Sequence, residues 1–490
     1  MKVLSVFRFM LCSSMLFVVT DWSQHVSAQT TQPPNATHGR FAWPPSGIIP
    51  HTLGVSTFGA RPPFPGGMQH GTVTLRPEKL DQQAIDLLHA GGFRYANIWM
   101  EWSRVEQQQG KYDFSLYDKY IDRLKTRELR PIFTFCFGNL LYCKGKSTKL
   151  TECVCDAPLN SERQRTAFAN FAAAAAKHFT YETTGAIFEL WNEPNLSFFW
   201  MGEPSPAEFT ALAIQAADAM HDADPDAVVV GPGASRGITE FVENVFQLGL
   251  LHHIDGVSHH FYTGLPPEAN SSSIAALKEL VDRYKPEGKQ LPIIDSESGY
   301  GSFGTARSEE IQAQYLVRRF LTHALSGIDL STWCTFIDQS EEQKCPQLDA
   351  GFGCMGTVTW DLKPKPAYLA VKTLSEQLDG MRFVRRLGWG RYQGSDYVLL
   401  FARVDKQDGF DYSRAKVVAW TTGDQSDMRL PLGAAGNAVD VKLWPGAQRA
   451  TGVEVIDLFG NETEFPVRIT AGGERRISLS PSPIYVGFSI

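Results

Sequence analysis

The chain has 490 residues, 43% hydrophobic and 20% charged, the composition of a globular protein with room for a large core. Its formal net charge is −7 and its pI about 6.0. With no Lys/Arg-rich run to offset this, the composition excludes nucleic acid and anionic membranes as partners.

Residues 1–28 read as a cleaved secretory leader, with Lys2 and Arg8, an apolar Phe9–Val19 run, and Val26-Ser27-Ala28 ahead of Gln29. That apolar run is too short to span a bilayer, so the expected location is secreted or periplasmic. Residues 29–50 are polar and Pro-rich and read as a linker.

Over 51–380, short β-branched or aromatic runs alternate with helical stretches, the pattern of repeated βαβ units. Strands are expected at 52–58, 93–100, 131–137, 186–192, 227–231, 256–262, 291–297 and 330–337. Between them apolar residues recur at helical spacing, as in Leu80, Ala84, Leu87 and Leu88, or Leu316, Phe320, Leu321 and Ala324. Pro366 fits the first turn of an eighth helix. Eight strand–helix pairs predict an α/β fold, a (β/α)8 TIM barrel. A doubly wound sheet would carry a Gly-rich phosphate loop after an early strand, and the sequence has none.

Residues 381–490 contain no helix-length segment. Runs at 397–404, 416–421, 453–459, 476–479 and 484–488, set off by Gly, Asp and Pro, predict a C-terminal antiparallel β-sandwich domain. Outside the leader, cysteines cluster at 136, 143, 153 and 155 and at 334, 345 and 354. Neither spacing is that of paired zinc knuckles, so no metal is expected. In an exported protein, disulfides are expected between Cys143 and either Cys153 or Cys155, and between Cys345 and Cys354. Cys136 and Cys334 fall in strands and read as core thiols.

Two of the predicted strands end in glutamate. The fourth runs into Glu189-Leu190-Trp191-Asn192-Glu193-Pro194, where the proline forbids further ladder pairing. The seventh reads Ile293-Ile294-Asp295-Ser296-Glu297-Ser298-Gly299. Glu193 and Glu297 are 104 residues apart, and three βα units of a typical barrel take about 94. Both then stand at the C-terminal mouth, where barrels place their chemistry.

Trp-Asn-Glu-Pro with a distant Ser-Glu-x-Gly resembles the clan A retaining glycoside hydrolases. Phe188–Trp200 (FELWNEPNLSFFW) most resembles glycoside hydrolase family 39, the family of β-xylosidases and α-L-iduronidases. The resemblance implies an exported retaining β-glycosidase, β-xylosidase-like or an endo-β-glycanase, acting on plant or microbial polysaccharides or oligosaccharides, with carbohydrate as its partner and no metal or cofactor. It implies Glu193 as acid/base and Glu297 as nucleophile. Asn192 would bond the 2-hydroxyl of the sugar next to the scissile bond, Tyr262 would donate to the nucleophile, and His260 would contact nucleophile or substrate. Trp333, ending strand 8, would lie under the sugar; by position alone, near strand ends or loops, Trp102 is expected as a further sugar contact, with Trp99 and Trp200 as other candidates.

Two positions depart from the pattern. Asn97 stands where many clan members carry an Arg, and Ser298-Gly299 follow the nucleophile where family xylosidases tend to have Trp. A catalytically silent carbohydrate-binding protein on the same scaffold would be expected to lose one of the two carboxylates, and both are present.

Overall fold

The computed structural model describes residues 41–57, 80–142, 159–200, 202–302, 307–338, 354–405, 409–430, 452–463, 468–469 and 475–489. The eight expected barrel strands are all present: β1 (Leu53–Ser56), β2 (Tyr95–Glu101), β3 (Arg130–Cys136), β4 (Ile187–Glu189), β5 (Val228–Ser235), β6 (Gly256–His260), β7 (Ile293–Ser298) and β8 (Leu330–Trp333). They pair in parallel in chain order, and β8 closes onto β1 through Leu53–Val55 against Ser331–Trp333. Parallel barrel strands are covered by helices outside and by each other's side chains inside. Accordingly every residue of β2 is buried.

The intervening helices begin where the sequence offers caps. Ser161 accepts from the Gln164 N–H while the Gln164 side chain reaches back to Ser161, a capping box that starts the helix Glu162–His178. Ser205 and Pro206 start the helix Pro206–Ala223 in the same way, as cap and first-turn proline. Among the described residues no helix is long and apolar enough to cross a membrane.

Residues 41–50 correct part of the expected linker. Phe41 and Trp43 pack against Tyr95, Ile132, Ile187, Val228 and Ile294, closing the N-terminal end of the barrel. Arg130 lies over the Phe41 ring and donates to the Ala42 carbonyl, and Trp43 donates to that of Asp255. Two aromatic rings in a short Pro-rich stretch suffice to dock it.

Beyond the barrel come β9 (Met381–Arg386), β10 (Asp396–Val404), β11 (Phe410–Thr421), β12 (Ser426–Leu430), β13 (Gly452–Ile456), β14 (Arg468–Ile469), β15 (Arg475–Leu479) and β16 (Ile484–Ser489). They form a five-stranded antiparallel sheet, β13-β16-β11-β10-β9, and a three-stranded one, β12-β15-β14. Strand alternation sends Val398, Leu400, Val417 and Ala419 toward Met428, Leu430, Ile477 and Leu479 of the smaller sheet. The alternate residues Leu399, Phe401, Val418 and Trp420 join the barrel's core. A buried ion pair reinforces that seam. Arg318 grips Glu268 with two 2.7 Å hydrogen bonds, and Trp420 donates to the same carboxylate at 2.7 Å.

Cys136 and Cys334 are free and buried, as expected of core thiols. Cys143, Cys153, Cys155 and Cys345 lie outside the described residues, as do the expected leader and residues 29–40.

Candidate active site

β4 ends at Glu189, earlier than its apolar run suggested, and the chain turns sharply to present Glu193. Trp191 and Glu193 both adopt left-handed backbone conformations, with φ of 68° and 47°. Such geometry is unfavourable for L side chains and concentrates at functional sites. It is held from β5, where the Gly233 carbonyl accepts from the Glu193 N–H at 3.0 Å. Gly233 itself has φ 62°, and a Cβ there would stand 2.9 Å from the Trp191 carbonyl, so the close approach demands glycine.

Glu297 projects from the end of β7. Oxygens of Glu193 and Glu297 and a ring nitrogen of His260 all lie within 4.8 Å of one another. Tyr262, two residues past β6, donates its hydroxyl to Glu297 Oε1 at 2.8 Å. His260, the last residue of β6, places Nδ1 3.0 Å from Glu193 Oε1 and Nε2 3.6 Å from Glu189 Oε1. The imidazole was expected on the nucleophile or substrate. It spans the two acids of the strand-4 segment, with a Glu297 oxygen also within 4.8 Å.

A polar layer lies beneath the pair. Glu189 is fully buried and accepts from Thr134 of β3 at 2.7 Å and from Ser296 of β7. Asn97 of β2 donates to the Ser296 carbonyl at 2.9 Å, tying the strand ends together where an Arg was absent. Glu189 was not among the expected site residues. A charged residue inside an otherwise apolar barrel strand was the available signal.

Burial pushes the Glu297 carboxyl up to about 7. His260 pulls against that rise, Glu193 adds to it, and the Tyr262 hydrogen bond restrains it. Near neutral pH Glu297 is therefore poised between its protonated and ionised forms. Burial disfavours a charged His260, yet its contacts with Glu189 and Glu193 and the charge of Glu297 raise its proton affinity well above the ordinary value. Burial likewise opposes ionisation of Glu189, but contacts with His260, Ser296 and Thr134 outweigh it and lower its pKa.

Three donor atoms within 4.8 Å invite comparison with a metal centre. An imidazole spanned by two carboxylates favours its doubly protonated form, which has no lone pair for a metal. The arrangement suits a proton better than a cation.

Asn192 is buried, and its Oδ1 has no hydrogen-bond partner among the described residues. Trp99, Cys136, Cys334 and Met355 form a small apolar cluster packed with Phe137, Phe199 and Tyr262, at the same end of the barrel as the carboxylates.

Two expected sugar contacts require correction. Trp333 is fully buried, its N–H bonded to the Met355 carbonyl at 2.9 Å and its ring packed beside Tyr300. Trp102 opens a short helix (Trp102–Val105) and is stacked between Tyr142 and Phe171, with its N–H 2.6 Å from Glu106. Both of its faces are occupied, so neither can receive a sugar ring. Asp295, the other acid on β7 near Glu297, is absorbed by an ion pair with Arg319 and a 2.8 Å hydrogen bond from Ser298.

Comparison with known proteins agrees with this geometry. The family model for Glycosyl hydrolases family 39 matches residues 72–428. The chain is 24% identical over 322 residues to a beta-xylosidase of Geobacillus stearothermophilus, covering 57% of this chain and 61% of the relative. It is 31% identical over 213 residues to a beta-xylosidase of Caldicellulosiruptor saccharolyticus, covering 40% and 42%. Among solved structures, a family 39 glycoside hydrolase from Bacteroides cellulosilyticus WH2 superimposes with a TM-score of 0.67 at 20% identity, over 90% of this chain and 81% of that one. A GH39 beta-xylosidase from Caulobacter crescentus gives 0.57 at 17%, over 89% and 100%. At these identities the structural likeness concerns the fold.

Proposed function

The chain belongs to glycosyl hydrolases family 39, and from that premise we propose that it is a retaining, β-xylosidase-like β-glycosidase acting on plant or microbial polysaccharides or their oligosaccharides. The observation that carries the reading is the separation of the two glutamates, whose nearest oxygens lie within 4.8 Å. Retaining enzymes hold their carboxyls about 5–5.5 Å apart, whereas inverting ones need about 6.5–9.5 Å to seat a water.

In the first step Glu297 attacks the anomeric carbon. The bond to the leaving oxygen breaks, and Glu193 gives that oxygen its proton. In the second, Glu193 takes a proton from water, whose oxygen displaces Glu297 and restores the starting enzyme. The Tyr262 hydroxyl favours the ionised Glu297 that the first step requires, and this supports its assignment as nucleophile. The orphan Oδ1 of Asn192 suits a donor such as the sugar 2-hydroxyl. Gly299, in the Ser298-Gly299 pair that follows the nucleophile where family xylosidases tend to have Trp, would have a Cβ 2.2 Å from the Cys334 carbonyl, so no larger residue fits at that position. The sugar pocket is therefore shaped differently beside the nucleophile, and glycosides other than xylosides belong in any substrate screen.

Export and disulfides are part of the same proposal. The leader-like segment 1–28 and the bonded state of Cys354 support them. Mass spectrometry without reduction should find the chain starting at Gln29, a bridge between Cys345 and Cys354, and free Cys136 and Cys334.

Azide rescue tests the roles. With a β-glycoside, Glu193→Ala plus azide should yield the β-glycosyl azide, because azide then replaces water in the second displacement. Glu297→Gly plus azide should yield the α-glycosyl azide by a single inversion. Exchange of the two products would exchange the roles, and inactivity of the wild-type protein on all aryl β-glycosides would refute the reading.

A further inference from the structure

Glu189 is fully buried beneath the two catalytic carboxylates, out of contact with solvent. Its two oxygens are taken up on separate sides. Thr134 donates to Oε2 at 2.7 Å, and Ser296 donates to Oε1. The same Oε1 faces His260 Nε2 at 3.6 Å. A carboxylate that accepts on both oxygens is held ionised, and an anion buried in a barrel needs a cation to balance it. His260 is the group within reach. Its other nitrogen, Nδ1, lies 3.0 Å from Glu193 Oε1. Glu189, His260 and Glu193 thus form a line from the barrel interior to the site of chemistry.

We propose that Glu189 is a positioning residue that holds His260 as an imidazolium, so that His260 donates from Nδ1 to Glu193 and fixes the orientation and proton affinity of the acid/base. This rests on the glycosidase reading above and extends it to a residue that never meets the substrate.

The charged and titratable groups around His260 are consistent with this assignment. Glu189 and Glu193 face it from β4 and the turn that follows, and Glu297 from β7. On its own strand His259 is buried with its pKa lowered to about 4, and it uses Nε2 to bond the Arg236 carbonyl, so it adds no positive charge near neutral pH. Cys136 of β3 and Cys334 after β8 are thiols whose burial raises their pKa well above the ordinary value, and they stay neutral. Tyr262 is committed to Glu297. The net charge available to balance Glu189 is that of His260.

Removing the anion has a definite sign. Without Glu189 the imidazolium keeps only Glu193 and Glu297 as acidic neighbours and gives up its proton at lower pH. Glu193 and Glu297 then lose a cation at short range, which outweighs the loss of the more distant Glu189 charge. The proton affinity of Glu297, which His260 otherwise holds down, rises, and the acid limb of kcat/KM, set by its ionisation, moves to higher pH.

The test uses Glu189→Gln in the full chain, with 15N-histidine labelling and His260→Asn to identify the His260 signals among the 12 histidines. In the wild-type protein His260 should remain doubly protonated from pH 5 to 8. In Glu189→Gln it should lose a proton within that window. The acid limb of kcat/KM on aryl β-xylosides should move up by about one pH unit, with kcat falling on the order of tenfold or more. A neutral His260 in the wild-type protein at pH 6 overturns the proposal, and that measurement stands even if the variant does not fold. So does a folded Glu189→Gln whose His260 signals and pH profile match wild type. A wild-type protein inactive on every glycoside, but whose His260 proton depends on Glu189, supports the ion pair while refuting the enzymatic reading.

Discussion

The substitution Glu297→Gln is expected to stabilise the folded protein while abolishing turnover. Folding lifts this carboxyl from its ordinary value of 4.5 to about 7. The folded state therefore binds a proton that the unfolded chain has released, and between these values stability falls as pH rises. The penalty is absent below about pH 4.5 and complete above about 7, where it corresponds to about 3 kcal/mol. The introduced amide would keep an oxygen for the Tyr262 hydroxyl but lose the charge assistance, which takes back about 1 kcal/mol. A net gain of about 2 kcal/mol remains at pH 8, a rise in Tm of a few degrees for a chain of this size. Thermal unfolding of both proteins at pH 4, 6 and 8 reads it out. The curves should coincide at pH 4 and separate progressively toward pH 8. A variant less stable than wild type at pH 8, or one equally stabilised at pH 4, refutes the view that this carboxylate is ionised against its surroundings for the sake of chemistry.

Three further substitutions probe other parts of the account. Tyr262→Phe removes the donor to Glu297, so the acid limb of kcat/KM should move up by about 1–2 pH units and activity below that limb should fall; an unmoved limb would show that the hydroxyl does not serve the nucleophile. Trp102→Ala should cost about 3–5 kcal/mol of stability and leave KM unchanged in the folded fraction, whereas a raised KM at unchanged Tm would restore Trp102 to the sugar site. Arg318→Met leaves Glu268 buried with Trp420 as its one donor among the described residues, at a cost of about 3–5 kcal/mol, seen as earlier unfolding in urea; no loss would mean that the seam between barrel and β domain does not depend on the pair.

The barrel was readable because each strand is a compact apolar run and each helix keeps its period. The two carboxylates were readable because Trp-Asn-Glu-Pro and the 104-residue separation both point to strand ends. What sequence could not supply is which way a strand-end side chain faces. Trp333 and Trp102 were assigned to sugar, yet Met355 and the Tyr142–Phe171 pair enclose them, and those partners come from distant segments. The left-handed turn at Trp191 and Glu193 leaves no compositional mark, since neither residue type favours it. Its requirement surfaces at Gly233, on another strand. Asp295 and Glu297 share strand parity, and only the fold places Arg319 against the first and Tyr262 against the second. Phe41 and Trp43 were overlooked because prolines dominate their neighbourhood.

The central claim, that Glu193 and Glu297 stand close enough for direct nucleophilic attack, is tested most directly by the stereochemistry of hydrolysis. Proton NMR can follow cleavage of an aryl β-glycoside by the wild-type protein from its first minutes, before mutarotation mixes the anomers. With carboxylate oxygens within 4.8 Å there is no place for an attacking water between sugar and Glu297, so the β-anomer must appear first. If the α-anomer appears first, the bond is broken by a more widely spaced pair of acids, and the pairing of Glu193 with Glu297 is wrong.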